Sequence, residues 1–245
     1  KLAERLDPAE QYEALRDFGF GSPTGVIYPS ESGGRLARPD AWSAYSQASV
    51  SIGYEISVTP LQMVMAYGAL ANGGLLMEPR LVREVRGPDG LVARRDGPRE
   101  VRRAISSETA RSVAGVLADV VEEGTGQGAG LGDFRVAGKT GTAWVFDDGA
   151  YRRDAFTASF AGFFPVRDPQ LVFLVKLDRG TQYGGSVAAP VTRTTLAAAL
   201  AARASPLDRG AVAATVAGRD AAAAPAHLVG PGDPWLPPAP GPDVF

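Results

Sequence analysis

Lys139, Thr140, Gly141 and Thr142 follow one another in the chain and carry groups that could do chemistry. The apolar run 143–146 comes directly after them, which predicts that they open a β-strand. An ammonium group and two hydroxyls on one short strand can hold an anionic ligand, and the glycine lets that ligand approach the backbone closely. We therefore take this tetrapeptide as the candidate site.

Nucleotide binding is one hypothesis for the tetrapeptide. Gly138, Lys139 and Thr140 match the end of the phosphate-loop motif Gly-x-x-x-x-Gly-Lys-[Ser/Thr]. That motif needs a glycine at position 133, where this chain has Asp133, and Gly132 comes one residue too early. The motif also needs a helix after the lysine, whose backbone amides hold the phosphates, and the apolar run is typical of a strand instead. We therefore disfavour a phosphate loop.

The composition argues against several other kinds of site. The 245 residues contain no cysteine and one histidine, His227, so thiol catalysis, a Ser-His-Asp triad and a multi-histidine metal centre are disfavoured. The net charge of −2 gives no support to a nucleic-acid partner. Asp147 and Asp148 are interpreted as a turn, because no further metal ligand is near them in sequence. We expect neither a metal nor a cofactor.

Four segments carry signals for helices. Asp7 and Thr59 each precede a proline and stand three residues before Glu10 and Gln62, which is the pattern of a capping box. The first helix should end near Asp17, and the second should end at the Asn-Gly-Gly turn that follows it.

The third and fourth helices have weaker start signals. Ser106 should begin the third, which Gly124 closes and whose apolar stripe is Val113, Val116, Leu117, Val120 and Val121. Ser186 should cap the fourth, which continues to about Arg203. Pro190 would then be its fourth residue, where no intrahelical hydrogen bond is lost.

Strand patterns occur in two regions. The main block comprises 134–146, 155–164 and 171–177, and the short connection between the last two fits antiparallel neighbours. Residues 80–95 predict a hairpin with its turn at 87–90. Together with the helices, these strands predict a mixed α and β domain.

The remaining segments set the domain limits. Residues 22–50 are interpreted as an ordered loop region, and 124–132 as a flexible connection at the rim of the site. Trp42, Tyr45 and Tyr54 are interpreted as aromatics that pack loops rather than as a ligand cage. After residue 204 the chain becomes rich in alanine and proline, so we expect a domain at 1–204 and a disordered tail at 205–245.

Four blocks of sequence resemble the class B penicillin-binding transpeptidases of cell division and elongation. They occur in the family's order, at residues 47–74, 138–143, 161–165 and 183–191, and the 51–62 stretch is closer to the cell-division type. The resemblance implies an α/β (α+β) fold of the penicillin-binding transpeptidase and serine β-lactamase kind, an antiparallel sheet flanked by helices. We expect the N-terminal part of that domain to be missing, because the chain opens on what reads as the middle of a helix.

The resemblance also implies roles for the tetrapeptide. In the family, a serine attacks the penultimate D-Ala carbonyl of a peptidoglycan stem peptide, and β-lactams acylate the same serine. Lys139 and Thr142 are the candidate catalytic residues, because Lys139 would help proton transfer and the Thr142 N–H would donate to the oxyanion. All four residues would bind substrate: Lys139 by its charge, Thr140 and Thr142 by hydroxyls on the carboxylate, and Gly141 beside the substrate backbone.

The chain departs from the family at its two serine motifs. Ser-x-x-Lys would need a serine at 136 or 173, which are Val136 and Phe173. Ser-x-Asn would need a serine two residues before Asn72, where the chain has Leu70. We therefore expect no nucleophile in this chain, no activity of these residues alone, and a truncated rather than a decayed enzyme.

The expected partners follow from the resemblance alone. They are peptidoglycan stem peptides, β-lactam antibiotics, a glycan polymerase and other division proteins, with no cofactor and no nucleic acid. The protein would act on the extracytoplasmic side of the membrane, held only by an N-terminal anchor that this chain does not contain. Three alternatives stay open: a non-catalytic β-lactam sensor, a degenerate scaffold, and a bifunctional class A enzyme with a glycan-polymerase domain upstream.

Overall fold

A computed structural model describes residues 3–132 and 134–202. The expected domain boundary near 204, the tail at 205–245, His227 and Asp133 lie outside these residues. Five α-helices are described: α1 (Pro8–Asp17), α2 (Ser46–Ser51), α3 (Pro60–Ala71), α4 (Ser107–Glu122) and α5 (Gly184–Ala202). The strands in the same part of the chain are β1 (Arg35–Leu36), β2 (Ile56–Ser57), β3 (Leu75–Met77), β4 (Glu84–Arg86), β5 (Val92–Arg95), β6 (Glu100–Arg103), β7 (Ala137–Asp147), β8 (Ala150–Phe164) and β9 (Leu171–Gly180).

Both predicted capping boxes are confirmed. The Asp7 carboxylate accepts a hydrogen bond from the Ala9 N–H at 2.7 Å, and the Glu10 carboxylate accepts one from the Asp7 N–H at 3.3 Å. The Thr59 hydroxyl and the Gln62 side chain form the second reciprocal pair, at 3.2 and 2.8 Å. Each box satisfies backbone donors that have no partner within the helix, which is why α1 and α3 begin where the sequence places them.

Gln62 also holds the long loop that precedes α3. Its side chain is almost fully buried, and its Nε2 donates to the carbonyl oxygens of Ser22 and Gly33, each at 2.8 Å. These bonds fix two points of the segment 22–50, which the sequence predicts to be an ordered loop. The segment also contains β1 and α2, so it is more regular than expected.

The main sheet has the order β7-β8-β9, and all of its pairs are antiparallel. The prediction of three consecutive strands is confirmed, with longer strands than the apolar runs suggest. Asp147 pairs with Ala150 across a two-residue turn in which Asp148 and Gly149 have φ values of 49° and 82°. That turn confirms the interpretation of the aspartate pair, and it allows β8 to begin at Ala150 rather than at 155.

Helices cover both faces of this sheet. On one face, Phe160 packs with Ala188, Ala189 and Leu196 of α5. On the other face, Phe163 of β8 packs in one cluster with residues of α3 and α4, including Tyr67, Leu70, Val113 and Leu117. An antiparallel sheet between helical layers is the predicted architecture, and it is confirmed.

The other predicted elements are largely confirmed. β4 and β5 form the antiparallel hairpin expected within 80–95, and its turn is closed by the Gly90 N–H donating to the Gly87 carbonyl at 3.0 Å. No helix within the described ranges is long and apolar enough to cross a membrane.

The buried face of α4 differs from the predicted stripe. Val116 is 64% exposed, whereas Ala110 and Ala118 are 1% and 0% exposed. Leu117 and Val121 are buried as expected. The prediction was wrong at Val116 because it weighted the valines, whereas small alanines fill the face on which the helix packs against the sheet.

The start of α5 also differs. The N–H groups of Ser186 and Val187 both donate to the Tyr183 carbonyl, at 3.0 and 3.2 Å, so the first turn begins before Ser186. Ser186 is therefore not the cap. Pro190 lies inside the helix rather than in its first four residues, and it cannot donate to the carbonyl of Ser186.

Candidate active site

The tetrapeptide lies on β7, at the edge of the sheet within the described residues. A Cβ atom placed on Gly184 would lie 2.4 Å from the Gly141 carbonyl oxygen and 2.6 Å from that of Ser159. Both oxygens therefore point into the space between β7 and β8. Because Gly141 and Ser159 are also paired in register, we infer that they form a hydrogen-bonded pair of the antiparallel ladder. Thr140 and Thr142, the neighbours of Gly141, then direct their N–H and C=O groups away from β8, to the free edge.

Lys139 folds back onto this edge. Its Nζ donates to the carbonyl oxygen of Thr140 at 3.0 Å and to the Thr140 hydroxyl oxygen at 3.3 Å. Although the residue as a whole is exposed, protein atoms around the ammonium group desolvate it and lower the pKa of Lys139 below the ordinary value of a lysine. The positive charge of Lys139 therefore lies at the strand edge, where it binds the Thr140 carbonyl and lies next to the outward backbone groups of Thr142.

Each threonine hydroxyl of the tetrapeptide has a defined partner. The Thr142 hydroxyl oxygen accepts the Gly184 N–H at 3.0 Å, and Gly184 is the first residue of α5. Because Thr142 accepts in this bond, its proton stays available for a ligand. The partial positive charge of the helix N-terminus also favours an anion near this hydroxyl. The Thr140 hydroxyl lies 2.8 Å from the hydroxyl of Thr125.

Gly141 lies in close contact with β8 at the position where the substrate backbone is expected to approach. A Cβ atom at this position would lie 2.4 Å from the Ser159 hydroxyl oxygen on β8. Gly184 is equally constrained, because its Cβ would meet the two carbonyl oxygens described above. Two glycines thus bring β7, β8 and the start of α5 into contact at the site.

Thr125 is a site residue that the sequence did not reveal. It lies in the segment 124–132, which was expected to be a flexible connection. That expectation was wrong: Ala129 and Leu131 are 0% and 1% exposed in the main core, and the Gly126 N–H donates to the Val120 carbonyl at 3.0 Å. No motif or periodicity marks Thr125, so only the folded chain brings it beside Thr140.

Aromatic side chains lie at the end of the β7 edge. The ring of Tyr54 is 6.5 Å from the ring of Trp144 and makes an edge contact with Tyr151 at 5.5 Å, measured between centroids. The interpretation of Tyr54 as a packing residue is confirmed. Trp42 also packs its loop, because its Nε1 donates to the Ala37 carbonyl at 3.0 Å. Tyr45 does not, since it is 71% exposed.

Asp147, the last residue of β7, is engaged in an ion pair. Asp147 accepts from the Arg179 guanidinium at 2.9 Å, and this contact lowers the pKa of the Asp147 carboxyl. In the part of the chain that the structure describes, no group of three or more His, Cys, Asp or Glu residues is arranged to hold a metal ion.

Comparison with known proteins identifies the family. The sequence profile described as "Penicillin binding protein transpeptidase domain" matches residues 1–197. The chain belongs to this family. Among its relatives, stage V sporulation protein D of Bacillus subtilis is 39% identical over 195 residues, which cover 78% of this chain and 30% of that protein. Penicillin-binding protein PbpB of Mycolicibacterium smegmatis is 37% identical over 203 residues, which cover 78% of this chain and 31% of that protein.

Solved structures support the same family. Penicillin-binding protein 3 of Mycobacterium tuberculosis, in its apo form, superposes with a TM-score of 0.76 at 34% identity, covering 84% of this chain and 49% of that one. Structures of the same protein have been solved with aztreonam and with ampicillin. The resemblance to class B penicillin-binding proteins is thereby confirmed. The chain spans about a third of the length of the curated relatives it matches.

Within this penicillin-binding domain, the structure gathers Lys139, Thr140, Gly141 and Thr142 at one edge of the sheet. Thr125 and the first residue of α5 join them. The catalytic and substrate-binding roles expected of these residues stay predictions, as does the source of a nucleophile.

Proposed function

We propose that these residues form one wall of a peptidoglycan D,D-transpeptidase active site that works through a serine acyl-enzyme on stem peptides ending in D-Ala-D-Ala. The observation that carries this proposal is the free edge of β7, where the backbone groups of Thr140 and Thr142 point outward beside the Lys139 ammonium group. The relatives support it, because several are named peptidoglycan D,D-transpeptidases.

The edge can receive the substrate as an additional strand. The backbone of the stem peptide would pair with the outward N–H and C=O groups of β7 by β-augmentation. Its terminal carboxylate would accept hydrogen bonds from the Thr140 and Thr142 hydroxyls, next to the charge of Lys139. This placement would bring the penultimate carbonyl to the Thr142 N–H, which would stabilise the oxyanion.

The reaction then needs a nucleophile and a path for one proton. A serine oxygen would attack the penultimate D-Ala carbonyl, and collapse of the tetrahedral intermediate would release the terminal D-Ala with the proton on its amine. The amine of a second stem peptide would take the acyl group and free the serine. The 245 residues contain no Ser-x-x-Lys, so under this proposal the serine comes from polypeptide outside them.

Lys139 would assist the proton transfer. Desolvation holds the pKa of this lysine below the ordinary value, so the ammonium group gives up a proton more readily than a solvated lysine does. The group would also hold the Ser-x-Asn element that the intact site requires. We therefore propose Lys139 and Thr142 as catalytic residues, with Thr140 and Gly141 in substrate binding.

β-Lactams would bind at the same edge. A β-lactam resembles the D-Ala-D-Ala end and carries a carboxylate, to which the same hydroxyls would donate hydrogen bonds. The complexes of the Mycobacterium tuberculosis protein with aztreonam and ampicillin support this proposal. We further propose extracytoplasmic action in cell division, with a membrane anchor outside these residues and with a glycan polymerase and division proteins as partners.

Turnover of a defined substrate tests this function. The full-length protein is incubated with a stem peptide ending in D-Ala-D-Ala and an acceptor amine, and released D-Ala and cross-linked peptide are quantified. We expect both products in equal amounts. Penicillin labelling without D-Ala release would favour the sensor instead, and neither labelling nor release would favour the scaffold. A glycan-polymerase activity in the same protein would indicate the class A alternative.

A further inference from the structure

The Thr140 hydroxyl has two neighbours that determine what it can donate. Lys139 Nζ lies 3.3 Å from the Thr140 hydroxyl oxygen, and the Thr125 hydroxyl oxygen lies 2.8 Å from it. An ammonium group can only donate, so Lys139 occupies one lone pair of this oxygen. The contact with Thr125 can run in either direction, and its direction decides whether the Thr140 proton is free.

The two directions have opposite consequences for a ligand. If Thr140 donates to Thr125, its only proton is used and the site offers no hydroxyl donor at this position. If Thr125 donates to Thr140, both lone pairs of the Thr140 oxygen are filled, and its proton must point elsewhere. An anion at the free edge selects the second arrangement, because each donor in the series polarises the next.

Thr125 is held in place by the packing of its loop. A Cβ atom on Gly126 would lie 3.1 Å from the Phe160 ring, and one on Gly185 would lie 2.7 Å from the Thr125 carbonyl oxygen. Gly126, next to Thr125 in the chain, is thus in close contact with the core, and the Thr125 backbone is in close contact with the start of α5. The side chain itself is exposed, so its hydroxyl lies at the surface where a ligand would arrive.

We propose that Thr125 is a positioning residue that turns the Thr140 hydroxyl into a dedicated donor for a carboxylate. The inference rests on the proposed function, since it assigns the part of the site that recognises the terminal carboxylate of the substrate. Thr125 lies in a loop outside the tetrapeptide, and it makes the site prefer a ligand that ends in a carboxylate over one that ends in a neutral amide. Thr125 acts through Thr140 and does not itself need to touch the ligand.

Two small probes separate carboxylate recognition from general binding. The 245-residue chain is titrated with N-acetyl-D-alanine and with N-acetyl-D-alaninamide, and binding is followed by NMR at the Thr140 and Thr142 amides. We expect the carboxylate to bind more tightly than the amide. Thr125→Val should weaken carboxylate binding about fivefold to tenfold, the effect of one lost hydrogen bond, and should leave amide binding unchanged.

Matched variants make the test specific. Thr125→Ser keeps the hydroxyl and should bind as the wild type does, and Thr125→Ala is a second removal variant in case valine disturbs the loop. Thr140→Val should abolish the preference for the carboxylate, and adding Thr125→Val to it should cause no further loss. Equal loss for both probes, additive losses in the double variant, or a wild type without preference would each overturn the inference.

The result of the binding test can be distinguished from the result of the D-Ala release assay that tests the proposed function. A carboxylate preference that depends on Thr125, found in a protein without D-Ala release, would support the inference and sink the transpeptidase reaction. Intact D-Ala release with no effect of Thr125→Val on carboxylate binding would overturn the inference alone.

Discussion

Lys139 gives two hydrogen bonds to its own neighbour, Thr140, and this sets the electrostatics of the site. An ammonium group has three N–H donors, so the bonds at 3.0 and 3.3 Å leave one for a ligand or another side chain. The folded-back position keeps the charge next to the strand edge, and the same position removes solvent from it. One side-chain conformation therefore explains both the position of the lysine beside the strand edge and its depressed pKa.

The depressed pKa of Lys139 makes a prediction about stability and pH. The folded chain binds fewer protons at Lys139 than the unfolded chain does between the lowered folded pKa and the ordinary value of about 10.4. The free energy of unfolding should therefore rise with pH through this window relative to that of Lys139→Met. Urea denaturation of both proteins at several pH values measures the difference. A difference that stays flat, or that falls with pH, would show that the ammonium group is not desolvated.

Gly141 predicts a compensating pair of substitutions. Gly141→Ala should destabilise the chain by about 1 kcal/mol, because its Cβ would lie 2.4 Å from the Ser159 hydroxyl oxygen and would force this side chain out of its present rotamer. Ser159→Ala removes that oxygen, and the Ser159 Cβ would lie 3.8 Å from the new methyl group, an ordinary contact. The double variant should then recover most of the stability of Ser159→Ala alone. Chemical denaturation of the three variants checks this, and additive losses would contradict the proposed contact.

The sequence reveals only the contiguous part of the site. Lys139 to Thr142 are found because their types and order form a motif within four positions. Thr125 and Gly184 reach the same place through the fold, 15 and 42 residues away from their hydrogen-bond partners Thr140 and Thr142. Gly184 belongs to the 183–191 block that resembles the family, but nothing in that block indicates a contact with Thr142, and no motif marks Thr125. These contacts were therefore found only in the structure.

Gln62 connects the start of α3 with the long loop that precedes it. It completes the capping box of α3, and it also bonds the carbonyl oxygens of Ser22 and Gly33 from an almost fully buried position. One side chain therefore joins a helix start to a loop that comes about 40 residues earlier. The capping pattern in the sequence predicts the contact at the start of α3, but it does not predict the contacts with the loop.

Substitutions at the two ends of this capping box should differ in cost. Thr59→Ala should reduce the free energy of unfolding by about 1 kcal/mol, because it removes only the cap. Gln62→Ala should cost about 2–4 kcal/mol, because it also leaves buried carbonyl groups without a donor. Urea denaturation at neutral pH measures both. A Gln62→Ala cost no larger than that of Thr59→Ala would contradict the anchoring role of this side chain.

Elements are predictable where their signals are local. Both capping boxes and the 87–90 turn depend on neighbouring residues, and each is confirmed. β8 begins earlier than its apolar run because the turn at Asp148 and Gly149 extends the hairpin through polar, exposed residues. The first turn of α5 begins at the Tyr183 carbonyl, which no residue preference marks. Hydrophobic periodicity alone cannot locate either boundary, because neither the turn nor the first turn of α5 is apolar in pattern.

The whole molecule presents β7 as the edge strand of a sheet enclosed by helices. α5 packs on one face, and α3 and α4 on the other, so the strand is fixed while its outer edge stays open in the described residues. The Thr142 hydroxyl connects this edge to the start of α5, which joins the core to the site. Rigid elements thus hold every group that the proposed reaction assigns to this chain.

Acylation by a fluorescent penicillin tests the central claim most directly. We expect stoichiometric labelling of the full-length protein, and no labelling of the 245 residues alone, because they contain no Ser-x-x-Lys. In the full-length protein, Lys139→Ala should slow acylation about 100-fold or more. Thr142→Val keeps the backbone N–H and should slow acylation about tenfold through the lost hydroxyl bond to the carboxylate, whereas the matched exposed variant Lys176→Ala should have no effect. Covalent labelling of the 245-residue chain, or wild-type rates in both β7 variants, would contradict the account.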